Sequence, residues 1–247
     1  MKSFRALFKS EFILSVRDMN LLFFGIGFSL LFTVVLGLIM GNKPAFDGAA
    51  YSFMEQSFGG IISIGIAATG LMGLPIVLAD YRHRKILKRY QVTPVSPMKL
   101  LVVQLVVNLI YALASLVLVY GVCALCFGVR IRGSVWLFAG AYLLVLVSIY
   151  SIGMMIASIA PNIKTANLLC SLFYFPMLLL SGATLPYEIM PGFMQKAMDF
   201  LPLTQGIKLL KAASLGLPAD NMLVPVIVML ALTVVCVVLS LKFFRWE

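Results

Sequence analysis

Six apolar runs decide what this chain can fold into. They fall at Leu21–Gly41, Phe58–Ala79, Leu100–Phe127, Val135–Ala160, Ala166–Ala183 and Met222–Phe243. Each is long enough for a helix to cross a hydrocarbon layer about 30 Å thick. The middle runs exceed that need, so they tilt or carry a turn outside the hydrocarbon. Composition agrees: 62% of the 247 residues are hydrophobic and 11% are charged, where a soluble domain has about 25% charged. The expected fold is an all-α polytopic membrane protein of one domain, with six transmembrane helices.

On a soluble protein a net charge of +10 would point to nucleic acid. Here the cations lie near the ends of the apolar runs and form no long tract, so no nucleic-acid partner is expected; they fit the bias that orients membrane proteins. An even number of spans puts both termini on one side. That side collects Lys2, Arg5, Lys9, Arg17, Arg82, Arg84, Lys85, Lys88, Arg89, Lys99, Lys164, Lys242 and Arg245. The other holds Lys43, Arg130, Arg132, Lys196, Lys208 and Lys211. The split of thirteen to six places both termini in the cytoplasm. Arg130 and Arg132 run against it in a short outer turn, and the sequence offers no reason for them.

Residues 1–20 form their own unit. Phe4, Leu7, Phe8 and Phe12 share one helical face, while Lys2, Arg5, Lys9 and Arg17 occupy the rest. This reads as an amphipathic interfacial helix with membrane lipid as its partner. A mitochondrial transit peptide is the alternative; Glu11, Asp18 and the polytopic body argue against it. The first apolar run exceeds a signal-peptide core and precedes no small-x-small site, so it is expected to stay as a span.

The stretch "LADYRHRKILKRYQVTPVSPMKLL", Leu78 to Leu101, gathers six cations and one acid between two spans. From Tyr81 to Val92 it has no Gly or Pro, and most residues are fair helix formers. Ile86, Leu87 and Tyr90 share a face of such a helix. Thr93-Pro94 stops it and Ser96-Pro97 starts the next segment. The expectation is a short docking helix within a loop over 80–99, not a slack tether. A second anomaly is the long outer segment over 184–220, punctuated by Pro186, Pro191, Pro202 and Pro218. Gly192–Phe200 and Thr204–Ala213 have helical apolar stripes, so two short helices are expected to lie on or dip into the outer membrane face.

Familiar chemistry is missing. Gly65-Ile-Ala-Ala-Thr-Gly70 is followed by Leu71 and not Lys, and lies mid-membrane, so no phosphate loop is read there. His83 is the one histidine, and Cys123, Cys126, Cys170 and Cys236 all sit in apolar runs, so neither a catalytic site nor a metal site is expected. The spans hold almost no ionisable groups and show no duplicated halves, which counts against an ion-coupled secondary carrier. Gly37-x-x-x-Gly41 and Ser63-x-x-x-Ala67 allow close helix approach. Met72, Met177, Phe58, Phe173 and Tyr174, with Ser63, Thr69 and Asn167, are candidates for an adaptable substrate path.

Two stretches carry a family likeness: "LKRYQVTPVSPMKLL" behind its acid and basic helix, and "SGATLPYEIMPGFMQKAMDFLPLTQGIKLLKAASLG". Together they resemble the ABC-2 type permeases, the membrane subunits of bacterial exporters, over nearly the whole chain. Asp80 stands where many relatives carry Glu. The resemblance implies a permease of the bacterial inner membrane that pairs with a second copy or a homologous permease and recruits two cytoplasmic ABC ATPase subunits. ATP and Mg would be bound by those partners, and no cofactor by this chain. It also implies that Arg82, Arg84, Lys85, Ile86, Leu87, Lys88, Arg89 and Tyr90 form the coupling helix that enters a groove on the ATPase. Spans two and five would face the path, and Pro186, Pro191, Pro202, Leu203 and Thr204 would belong to an external gate. Relatives export drugs, peptides, glycolipids and polysaccharides; the apolar path favours a hydrophobic or amphipathic substrate.

Overall fold

The computed structural model of the chain describes residues 2–41, 43–46, 49–86, 97–184, 187, 190–218 and 220–243. Helix α1 (Lys2–Val16) precedes six long helices: α2 (Met19–Met40), α3 (Phe53–His83), α4 (Pro97–Phe127), α5 (Val135–Ile159), α6 (Ile163–Leu180) and, after two short ones, α9 (Asp220–Phe243). The short helices are α7 (Gly192–Met198) and α8 (Pro202–Leu215). Among the described residues the only strand-like pairing is an isolated bridge between Pro44 and Ser52. All six long helices are long and apolar enough to cross a membrane. An all-α polytopic membrane protein is therefore the architecture that both sequence and structure give.

Helix α3 is the hub. It is buried over most of its length and touches α2, α4, α5, α6 and α8. Helices α3, α5 and α9 run in one direction and α2, α4 and α6 in the other. Two glycines set the α3–α5 crossing: a Cβ on Gly153 would sit 1.9 Å from the Gly70 carbonyl oxygen, and a Cβ on Gly70 would sit 2.7 Å from the Tyr150 ring. Such contact is open only to residues without a side chain. Around Gly70 α3 widens into a π-helical stretch over Ala68–Gly73, with Pro75 two residues beyond its end. Proline has no N–H to donate and crowds the preceding turn, so the widened turn makes room for its ring. A second π-helical stretch in α2, Phe23–Gly27, faces the first, with Gly25 close to Thr69.

The apolar stripe of α1 is covered by protein. Leu7 is buried, and Phe4, Phe8 and Phe12 pack with Leu100, Val103, Val107 and Tyr111 of α4. Arg5 and Lys9 stay exposed, while α4 takes the aromatic face that the sequence reading gave to lipid. Helix α7 keeps most of its surface exposed, with Met198 buried, but α8 is not a surface helix. Nearly all of α8 from Leu203 to Leu215 is buried against α3, α5 and α9. It starts at Pro202, whose missing N–H costs nothing in a first turn. It stops at Gly216, which takes the left-handed conformation (φ +70) while the Leu217 N–H reaches the Ala212 carbonyl.

Candidate functional site

The loop between α3 and α4 leaves the bundle through two stems, and polar contacts hold both. On the α3 side Arg82 is buried, and its Nη1 donates to the carbonyl oxygens of Ala157 at 2.9 Å and Ala160 at 2.8 Å. Those carbonyls belong to the last turn of α5, where acceptors lack intrahelical partners and a cation is favoured by the helix dipole. Ala79, Ala160 and Ala166 pack together beside it, small enough to bring α3 against the α5–α6 turn. Asn162 begins α6 by accepting from the Thr165 N–H at 2.9 Å. Movement of the α3 stem therefore meets α5 and α6 directly.

On the α4 side Glu11 of α1 ties the stems together. Its carboxylate accepts a hydrogen bond from the Tyr81 hydroxyl on α3 and from Gln104 Nε2 on α4 at 2.6 Å. Gln104 is bonded in turn by Asn108 Nδ2, which donates to its carbonyl oxygen at 2.9 Å. Burial raises the Glu11 carboxyl above its ordinary value of 4.5, against the lowering pull of the Tyr81 and Gln104 hydrogen bonds. The folded state thus holds this proton more tightly than the unfolded state. The contribution of Glu11 to stability is therefore largest at acid pH and falls as pH rises from about 4.5 to the folded value, then levels. Glu11→Gln should flatten that slope in thermal unfolding scans. A wild type and a Glu11→Gln variant with parallel pH profiles would remove Glu11 as the source.

The remaining cations of the loop behave differently. Arg84 pairs with Asp80 at 2.9 Å but its side chain is 67% exposed, so the pair contributes only about 0.3–0.5 kcal/mol. Lys85 stands at φ +56, a conformation that a non-glycine residue takes at some cost, and it ends α3 as a left-handed cap. A helix running without a break from Tyr81 is thus interrupted at Lys85, with half-buried Ile86 following. Leu87, Lys88, Arg89 and Tyr90 lie outside the described residues, as does Pro186 of the gate.

The expected path residues fall into three places. Phe58, Ser63 and Thr69 are inside the subunit core. Phe58 stacks on Phe138 with centroids 5.9 Å apart. Ser63 and Thr69 donate back to the carbonyls of Gly59 and Gly65, and Tyr150 donates to Thr69 at 2.9 Å. Tyr174 is fully buried with its hydroxyl unpartnered. Met72 and Asn167 line a cleft of about 400 Å³ between α2, α3 and α6. Phe173 and buried Met177 line one of about 350 Å³ between α5, α6 and α9. The sequence did not mark a groove of about 670 Å³ between α4, α5 and α9, walled by Leu101, Leu105, Leu109, Met154 and Val237. Its aliphatic lining was visible only as span composition.

At the far end Pro191 opens α7, Pro202 opens α8, and Leu203 and Thr204 are buried in the first turn of α8. Asp199 joins the helices: it accepts from Lys208 Nζ at 2.6 Å and from the Tyr187 hydroxyl at 3.2 Å. Arg132 now has a reason. It meets Glu55 through two nitrogens at 3.0 and 3.2 Å, while Glu55 also closes the Ser52 capping box that begins α3. The Arg132 N–H donates to the Ser214 carbonyl at 2.8 Å, joining this turn to the end of α8. The Ser-x-x-Glu pattern at 52–55 was the available signal.

Residues 2–215 match the ABC-2 type transporter family. The chain is 30% identical over 178 residues to the inner membrane transport permease YhhJ of Escherichia coli (strain K12), covering 70% of this chain and 45% of that protein. It is 33% identical over 93 residues to nodulation protein J of Rhizobium leguminosarum bv. viciae, covering 38% of this chain and 34% of that protein. Against another nodulation protein J, from Neorhizobium galegae, the identity is 33% over 94 residues. The chain thus spans less than half the length of the YhhJ permease it matches. With six spanning helices and a match through all but the last of them, this multi-pass membrane protein belongs to the ABC-2 type transporter family.

Proposed function

We propose that the chain is the permease subunit of an ATP-driven exporter of the inner membrane, with both termini cytoplasmic. It works with a second permease copy and two separate ABC ATPase subunits, which bind ATP and Mg and do the hydrolysis. The loop between α3 and α4 is the coupling element. What carries the reading is the clamping of both its stems, Arg82 onto the end of α5 and Glu11 across Tyr81 and Gln104. A displacement imposed on the loop by a partner then moves α1, α3, α4 and α5 together, where a slack loop would absorb it. The aliphatic groove between α4, α5 and α9 supports a hydrophobic or amphipathic substrate. The test is reconstitution into vesicles with its partner ATPase. Purified chain alone should hydrolyse no ATP, and the pair should move an amphipathic dye only when ATP is supplied. Uptake driven by an ion gradient in vesicles lacking ATP would overturn the proposal.

A further inference from the structure

The groove between α4, α5 and α9, about 670 Å³ in volume, lies in the half of the bundle nearest the loop between α3 and α4. On α4 it runs from Met98 to Leu109, about 16 Å by the rise of an α-helix. That is the depth of one leaflet, half of a hydrocarbon core about 30 Å thick. Buried Leu101 and Leu146 form its floor, while Val102, Val147 and Val237 stand exposed along its rim. The groove therefore opens sideways, where lipid tails surround a spanning protein. Three hydroxyl-bearing residues reach its wall, and each is engaged within the protein. Tyr150 donates to Thr69 at 2.9 Å, Ser151 donates to the Ser148 carbonyl at 2.6 Å, and Ser240 meets Ser158 at 2.9 Å. No charged residue is among the described residues of the lining. A polar ligand would lose its own hydrogen bonds there and find few in return.

Such a wall suits an aliphatic chain. In lipid there is no water to expel, so the gain is the van der Waals contact that an empty groove forfeits. Width decides between a lipid chain and a helix of a second copy. Spread over its length, the volume gives a section of roughly 40 Å², about half of what an α-helix about 10–12 Å across needs. The mouth supplies a headgroup contact. Met98 at the start of α4 and Leu241 near the end of α9 line it, and their neighbours Lys99 and Lys242 are both exposed. Cations beside an aliphatic groove at the ends of spans fit a headgroup with net negative charge. We propose that the groove holds one acyl chain of an anionic phospholipid, whose phosphate is met by Lys99 and Lys242. The site is built within one chain and needs neither the partner ATPase nor export; only its assignment to the cytoplasmic leaflet rests on the proposed orientation. An amphipathic substrate using the same groove has to displace this chain.

The experiment is native mass spectrometry of the full chain in a maltoside detergent, titrated with dioleoyl phosphatidylglycerol or, separately, dioleoyl phosphatidylcholine. One phosphatidylglycerol per chain should bind saturably, and more tightly than phosphatidylcholine, whose choline cancels the phosphate charge. A lysine near an anionic headgroup is worth about fivefold in binding. Lys99→Gln combined with Lys242→Gln should therefore weaken phosphatidylglycerol about 25-fold and leave phosphatidylcholine nearly unchanged. Val102→Trp lays a large ring across the rim and should abolish the one-lipid adduct with both probes. Val117→Trp, on the same helix and also exposed but outside the groove, should keep it. If Val102→Trp does not fold, the lysine variant decides alone. Equal binding of the two lipids by wild type, or several lipids bound without saturation and alike by every variant, marks an ordinary lipid annulus and overturns the proposal. A wild type that carries no lipid and forms a dimer that Val102→Trp splits also overturns it, since a second copy then covers the groove.

Discussion

Gly153→Ala should sharply destabilise the folded protein, although it adds one methyl group to a helix. The added carbon would sit 1.9 Å from the Gly70 carbonyl oxygen, and that neighbour is backbone, so no rotamer change relieves the clash. Helices α3 and α5 must separate along the crossing, which also lifts Tyr150 from Thr69. Overpacking of this kind costs about 1–3 kcal/mol and sometimes more. Gly121→Ala is the matched control, since nothing lies within 4 Å of its added carbon. There the methyl should be neutral or raise stability by up to about 1 kcal/mol through lower backbone entropy. Thermal unfolding in detergent reads both. Equal melting temperatures for the two variants would mean that the α3–α5 crossing is not the tight contact described.

Arg82→Ala should have the second large effect, and it should exceed that of Arg84→Ala although both remove one cation from the same loop. Truncating Arg82 strips the donor from two carbonyls at the end of α5. A hydrogen bond from a charged group is worth about 1.5–3 kcal/mol, so a loss of several kcal/mol is expected. Arg84→Ala removes an exposed pair worth about 0.3–0.5 kcal/mol. Arg82→Lys should recover only part, because its ammonium sits on a shorter, more flexible stem and is held less firmly at the place where Nη1 now meets both oxygens. On the proposed function, Arg82→Ala should also let the partner ATPase run without transport, while Arg84→Ala keeps the two coupled. Matching behaviour of the two variants in unfolding and in transport would leave Arg82 without a special part in coupling.

The contrast between these arginines shows where the sequence stops being legible. Counting cations at span ends orients the chain, and both residues count equally there. Which of them is drawn under the end of α5 depends on the helical phase of α3 when it leaves the bundle. That phase is altered by the π-helical stretch, which no apolar periodicity marks. The six spans were readable because length and hydropathy act locally. The partners of Glu11 were not: an acid on a basic amphipathic helix says nothing about a tyrosine 70 residues and a glutamine 93 residues away. Arg132 was read as a charge on the wrong side, whereas Glu55, itself marked by its capping pattern, is its reason. The stripes of α7 and α8 told that each needed cover, but not that α8 would find it inside the bundle.

The π-helical stretch of α3 also acts as an angular setting. A π turn takes one residue more than an α turn, and one residue along an α-helix is a rotation of about 100°. If Ala68–Gly73 tightened to ordinary α-helix, everything beyond it would turn by about that angle relative to the half that packs on α8. Arg82 would point away from the carbonyls of Ala157 and Ala160, and Tyr81 away from Glu11. The same residues that hold the loop stems would then release them together. The six residues around Gly70 thus fix the angle at which the loop-proximal half of this helix meets its partners, and the grip on both stems depends on that angle being kept.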